Sequence, residues 1–172
     1  MTELTNATGG PDERVEYPAV VITCSTRAAT GIYPDRSGPI IVDALRTWGL
    51  VVGDAVVVAD GPAVEESLRV AISGGARLVV TTGGTGMTPT DRTPEATERV
   101  IDWLVPGIPE AMRAVGLQSG VPAAMLSRGI AGVAGQTLVV NLPGSMGGVT
   151  SGLAVLKPVV KHALGQIQGG DH

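Results

Sequence analysis

Ala76–Glu95, ARLVVTTGGTGMTPTDRTPE, contains a complete passage from strand to helix. Leu78, Val79 and Val80 arrive together and stop near glycines, the pattern of a short buried strand. Gly83, Gly84 and Gly86 follow. Glycine reaches positive φ without steric cost and lets a ligand approach the backbone, so this loop can turn several N–H groups toward one anion. Thr82 and Thr85 add hydroxyls. Asp91 then stands ahead of Thr93-Pro94-Glu95, where Thr93 is expected to cap a helix, Pro94 to suit its first turn and Glu95 to complement its dipole. Strand, anion-holding loop, carboxylate and helix start together make the layout of a phosphate site with a place for a divalent cation. The glycines alone do not decide this. Their GGxG spacing is neither the Walker pattern nor GxGxxG, and glycine-rich turns also serve as plain connections.

Outward from this passage, strands and helices alternate. Strands are expected at Val20–Cys24, Ala55–Ala59, Leu78–Thr81, Arg128–Val133 and Thr137–Asn141. Between them, apolar residues recur at helical spacing: from Pro39 to Trp48, over Pro62–Ser73, Pro94–Leu104 and Pro109–Leu117, and along a final stripe from Val149 to Ile167 that Pro158 bends or restarts. Such alternation predicts one α/β domain, a mostly parallel central sheet in a three-layer α/β/α arrangement. The polar residues 1–17 read as a flexible lead-in, residues 18–168 as the domain and 169–172 as a flexible end.

Composition narrows the function. With 172 residues the chain is long enough to bury a core unaided, and with no Phe, two Trp and two Tyr that core must come from Val, Ile, Leu and Ala. A net charge of −4 without a basic cluster argues against nucleic acid as partner. Cys24 is the only cysteine, so no internal disulfide forms and a reducing compartment suits the chain. It reads as a small core residue, and neither His162 nor His172 makes a zinc spacing with it. No apolar run approaches the ~20 residues of a membrane span, and the start does not read as a signal peptide. The expected location is cytoplasmic.

In sheets of this kind ligands bind outside the carboxyl ends of the strands. Four such ends carry polar or glycine residues: Ser25-Thr26-Arg27, Asp60-Gly61, Thr82–Gly86, and Asn141-Leu142-Pro143-Gly144-Ser145. Their clustering points to one pocket. Ser145 suits both a helix cap and the anion-attracting end of that helix. On composition alone Asp60 reads first as the cap of the helix that Pro62 opens, and Asp35 equally as a turn former or as part of the same mouth.

TTGGTG followed by Thr-Asp-x-Thr-Pro-Glu resembles the molybdopterin adenylyltransferases of molybdenum-cofactor biosynthesis, the MogA/MoaB-type family. STRAATGIYPDRSGP at Ser25–Pro39, VPGIPEAMR at Val105–Arg113 and AMLSRGIAGVAGQTLVVNLPGS at Ala124–Ser145 continue the likeness in the same order, over roughly Pro18 to Gln168. The resemblance implies transfer of AMP from ATP to the terminal phosphate of molybdopterin. It further implies that Asp60 and Asp91 are the catalytic, Mg2+-organising carboxylates. Ser25, Thr26, Thr82, Gly83, Gly84, Thr85, Gly86, Thr93 and Glu95 fall on the substrate and nucleotide side, and Asn141, Pro143, Gly144 and Ser145 on the pterin phosphate side. A homotrimer is implied as well, with a downstream molybdate-inserting enzyme receiving the product. Ile108, Met112 and Val115 are expected to form an exposed apolar patch for that assembly. Three departures stand out: Thr26 where the family commonly has Asp, Ala59 and Gly61 where it has Pro and Glu around the aspartate, and Met146-Gly147 where it has Pro-Lys. A catalytically silent pterin-binding or scaffolding member, and a nucleotide-binding domain of the related CinA type, are the alternative readings.

Overall fold

The computed structural model describes residues 16–170. In chain order its strands are β1 (Pro18–Cys24), β2 (Val51–Val52), β3 (Val56–Val58), β4 (Leu78–Thr82), β5 (Trp103–Leu104), β6 (Ala131–Ala134) and β7 (Thr137–Leu142). The helices are α1 (Thr26–Ala29), α2 (Ser37–Thr47), α3 (Pro62–Ser73), α4 (Thr93–Glu98), α5 (Gly107–Gln118), α6 (Met146–Leu156) and α7 (Val160–Ile167), with a 3-10 turn at Pro122–Leu126. The strands form one sheet in the order β2-β1-β4-β7-β6-β5, and β3 extends the edge beside β1. β1 pairs in parallel with β2, β3 and β4, and β4 with β7, while β6 runs against both its neighbours.

Side chains alternate across the sheet, and helices cover both faces. Val21, Leu78, Val80, Leu138 and Val140 pack with Ile41, Leu45, Val149, Leu156 and Leu164 of α2, α6 and α7. Ile22, Val79 and Val139 pack on the other side with Val64 and Leu68 of α3 and Ala96 of α4. Burial on both faces is why β1, β4 and β7 read as continuous apolar runs.

Several expectations change. The helix expected over Pro94–Leu104 stops at Glu98, and Trp103–Leu104 pairs instead with β6, Trp103 opposite Val133 and Leu104 opposite Gly132. Gly132 permits this, because a Cβ there would lie 2.7 Å from the Trp103 carbonyl oxygen. The strand expected from Arg128 begins at Ala131, and a short β2 precedes β3. The expected apolar patch on α5 is also corrected. Ile108 and Met112 are each 9% exposed, packed into the larger core cluster, and Val115 is half-buried. Pro158 does divide the C-terminal stripe, between α6 and α7. Most of the expected lead-in lies outside the described residues, but Tyr17 packs against the core and accepts from the Val51 N–H at 3.1 Å. No helix among the described residues is long and apolar enough to cross a membrane.

Candidate functional site

The chain leaves β1 toward β3 on one side and later crosses to β4 on the other. The carboxyl ends of β1 and β4 therefore flank a crevice where the strand order reverses, the place such sheets bind ligands. The 83–86 loop fills its floor. Gly83, at φ 93°, passes so close to the Cys24 carbonyl that any side chain would collide, and its N–H donates to Leu142 O at 3.2 Å. Gly84, at φ 64°, lies against the Thr93 side chain, and its carbonyl accepts from the Thr93 N–H at 3.1 Å. These two glycines serve close packing first. Among the described residues no acceptor engages the N–H groups of Gly84, Thr85 or Gly86, so three donors remain for an anion.

Each of the two expected carboxylates is anchored by one oxygen. Asp60 Oδ2 accepts from the Thr26 N–H at 2.9 Å and from Thr26 Oγ1 at 2.8 Å, and the Asp60 N–H donates back to Thr26 Oγ1 at 3.1 Å. Asp60 is thus no helix cap; Gly61 occupies that position of α3. Asp91 Oδ2 accepts from the Thr88 N–H at 3.1 Å and Thr88 Oγ1 at 2.7 Å. In both, Oδ1 carries no hydrogen bond from the described residues, and Asp60 Oδ1 lies 3.4 Å from where a Gly84 Cβ would stand. Asp35 instead holds α2 in place, accepting from the Ser37 and Gly38 N–H groups and from Thr23 Oγ1.

Two chambers open over this floor. One, of about 740 Å³, is walled by Met87, Pro109, Met112, Val121 and Leu126 and contains Thr85, Gly86 and Pro143. The other, of about 620 Å³, is more polar, with Ser25, Arg27, Tyr33, Arg36, Asp60 and Thr82. Gly83, Gly84, Asp91, Gly144 and Ser145 border both. Ser145 caps α6, its Oγ accepting from the Gly148 N–H at 3.2 Å, so that helix starts at the junction.

Other expected residues sit differently. Thr26, Thr93 and Glu95 line neither chamber. Thr26 orients Asp60 from behind. Thr93, the first residue of α4 and not its cap, is 1% exposed beneath Gly84, and its hydroxyl has no hydrogen-bond partner among the described residues. Glu95 pairs with Arg128, whose hydrogen bond holds its carboxyl below the usual range against the opposing effect of burial. Asn141 borders the larger chamber, but its amide is committed to the fold: Nδ2 donates to Thr81 Oγ1 and Thr97 Oγ1, both at 2.9 Å, and Oδ1 accepts from the Ile130 N–H. Thr82 Oγ1 likewise donates to Pro143 O at 2.9 Å. Cys24 is a core thiol, 2% exposed, that burial pushes up to about 12. Arg27, from the strand end already singled out, and Arg36 line the polar chamber, Arg113 lines the larger one, and Arg128 stands behind the loop; Arg36, Arg113 and Arg128 were not among the expected site residues. The Ser-Arg-Gly at 127–129 lies within the resemblance, but its expected strand character hid the arginine.

Among the described residues no three His, Cys, Asp or Glu gather as a metal cage. Two carboxylates with one uncommitted oxygen each at a roomy opening do fit a hard divalent cation that keeps waters and binds phosphate oxygens as well.

Residues 20–162 match the family model described as a probable molybdopterin binding domain. The chain belongs to this molybdopterin-binding family. The family's members nearby include a molybdenum cofactor biosynthesis bifunctional protein of Synechococcus elongatus, 42% identical over 90% of this chain and 48% of its own length. This chain thus spans about half of that relative. A molybdopterin adenylyltransferase of Helicobacter pylori is 37% identical over 87% of this chain and 86% of its own. The solved structure of the molybdopterin biosynthesis Mog protein from Mycobacterium ulcerans superposes with a TM-score of 0.84 at 50% identity, covering 90% of this chain and 98% of that one. A CinA protein from Thermoplasma acidophilum, at 23% identity and a TM-score of 0.62, shares the fold.

Proposed function

We propose that this chain transfers AMP from Mg-ATP to the terminal phosphate of molybdopterin, releasing pyrophosphate, in molybdenum-cofactor biosynthesis. The observation that supports this most is the common floor of the two chambers. Gly83, Gly84, Asp91, Gly144 and Ser145 border both, so two phosphate-bearing substrates entering from opposite sides meet over the same residues. In the transfer, an oxygen of the pterin phosphate attacks the α-phosphorus of ATP, the bond to the bridging oxygen breaks, and pyrophosphate leaves with that electron pair. Phosphate oxygens are already ionised near neutral pH, so the barrier lies in bringing two polyanions together and neutralising the leaving group. The N–H groups of Gly84, Thr85 and Gly86 meet phosphate oxygens without reorganisation. Asp60 and Asp91, fixed through Thr26 and Thr88, would hold Mg2+. The bound cation would supply charge neutralisation on the phosphates.

Asp91→Asn tests the reading in purified protein with molybdopterin, ATP and Mg2+. The substitution keeps shape and removes charge, so transfer falls by roughly 10²–10³-fold while the circular dichroism spectrum is kept. Near-normal turnover at saturating Mg2+ would remove Asp91 from the assignment. A catalytically silent, pterin-binding member is the alternative reading. Wild-type protein that binds molybdopterin without releasing pyrophosphate would establish that alternative.

A further inference from the structure

The stretch from Gly84 to Asp91 carries the candidate donors and one candidate carboxylate, yet it belongs to neither β4 nor α4, and Met87–Thr90 are exposed. One side chain closes it. Arg128 donates from Nε to Gly86 O at 2.8 Å and from Nη2 to Asp91 O at 2.6 Å, while Nη1 meets the Glu95 carboxylate. Its own N–H donates to Thr85 O at 2.8 Å. A planar guanidinium fixes three acceptors in one rigid fork, which a lysine ammonium on a flexible stem does not reproduce. Behind it, Arg113 of α5 reaches Ser127 O and Gly129 O, both at 3.3 Å, and so steadies the backbone on either side of Arg128.

We propose that Arg128 is a positioning residue that pins both ends of the 86–91 loop, and thereby sets where the Asp91 carboxylate and the free N–H groups stand. For catalysis this rests on the adenylyl-transfer reading; for the loop it rests on geometry alone. Arg128 lines neither of the two chambers that share the floor, and its hydrogen bonds go to loop carbonyls and Glu95, so its effect reaches the cleft through the loop.

The test uses the full chain as wild type, Arg128→Ala and Arg128→Lys. Amide hydrogen exchange at Thr88 and Asp91, the loop residues whose N–H groups are hydrogen-bonded, rises roughly tenfold or more in both variants, while β4 and β7 keep wild-type protection. Molybdopterin adenylylation falls on the order of 100-fold, chiefly in kcat. Methylguanidinium restores part of it to Arg128→Ala and methylammonium does not. Wild-type loop exchange in Arg128→Lys overturns the proposal, as does exchange that rises across the whole sheet, which marks a general fold defect. Lost activity with unchanged loop exchange overturns it too. Should wild-type protein transfer no AMP, the adenylyl-transfer reading fails while the exchange arm still decides whether Arg128 pins the loop.

Discussion

Gly86 stands where a methyl group would lie 2.7 Å from Asp91 Oδ2, the oxygen Thr88 already holds. Its φ lies outside the left-handed range, so alanine meets no backbone strain there. Gly86→Ala is therefore expected to shift the carboxylate by a fraction of an ångström and leave the fold intact. Transfer should fall on the order of 100-fold with a melting temperature close to wild type. Full activity in that variant would show that the position of Asp91 is not critical. Gly84 offers a poorer probe, because a side chain there collides with Thr93 and faces a φ of 64°. At this scale the sequence disclosed which residues gather at the strand ends. It did not disclose what their side chains do there, because Asn141, Thr82 and Thr26 look like ligands on paper and find protein partners once β1, β3, β4 and β7 align.

Elements joined through the Glu95–Arg128 pair respond to acid in a defined direction. Arg128 holds the Glu95 carboxyl below its ordinary value, and a carboxyl depressed by folding adds stability above its unfolded value, near pH ~4.3, that is lost as pH falls through the folded one. Wild type should melt above Glu95→Gln at neutral pH, by a small margin since both partners are partly exposed, and the gap should close as pH drops below about 4. A gap that widens in acid would contradict the pairing. Helix and strand types were legible wherever the apolar period was long, as in α3 and β4. α4 and β5 were not, because Val100, Ile101, Trp103 and Leu104 continue a helix-like apolar pattern, and only the edge of β6, distant in sequence, claims the last two.

For the whole molecule, the parallel order and both covered faces followed from alternation and from strands apolar throughout. The antiparallel β6 had a local signal: Gly135-Gln136 reads as a turn between two strand-like runs, and Gly135 takes φ 57° in the two-residue connection from β6 to β7. Assembly is another matter: with Ile108 and Met112 buried, the apolar surface left exposed includes Trp103 at 58% and Leu104 at 53%, on the open edge strand β5. From the family resemblance we expect a symmetric homotrimer, each cleft built within one subunit. Light scattering at low micromolar protein should give about three times the 17.4 kDa chain mass, and a monomer or dimer would refute it. The junction of the two chambers also bears on stereochemistry. On the adenylyl-transfer reading, the residues shared by the two chambers would let both substrates meet over one floor, with no need for a covalently adenylylated protein. AMP would then pass in a single in-line displacement, and ATP made chiral at the α-phosphorus with sulfur should yield product of inverted configuration; retention would reveal two successive displacements and a protein nucleophile.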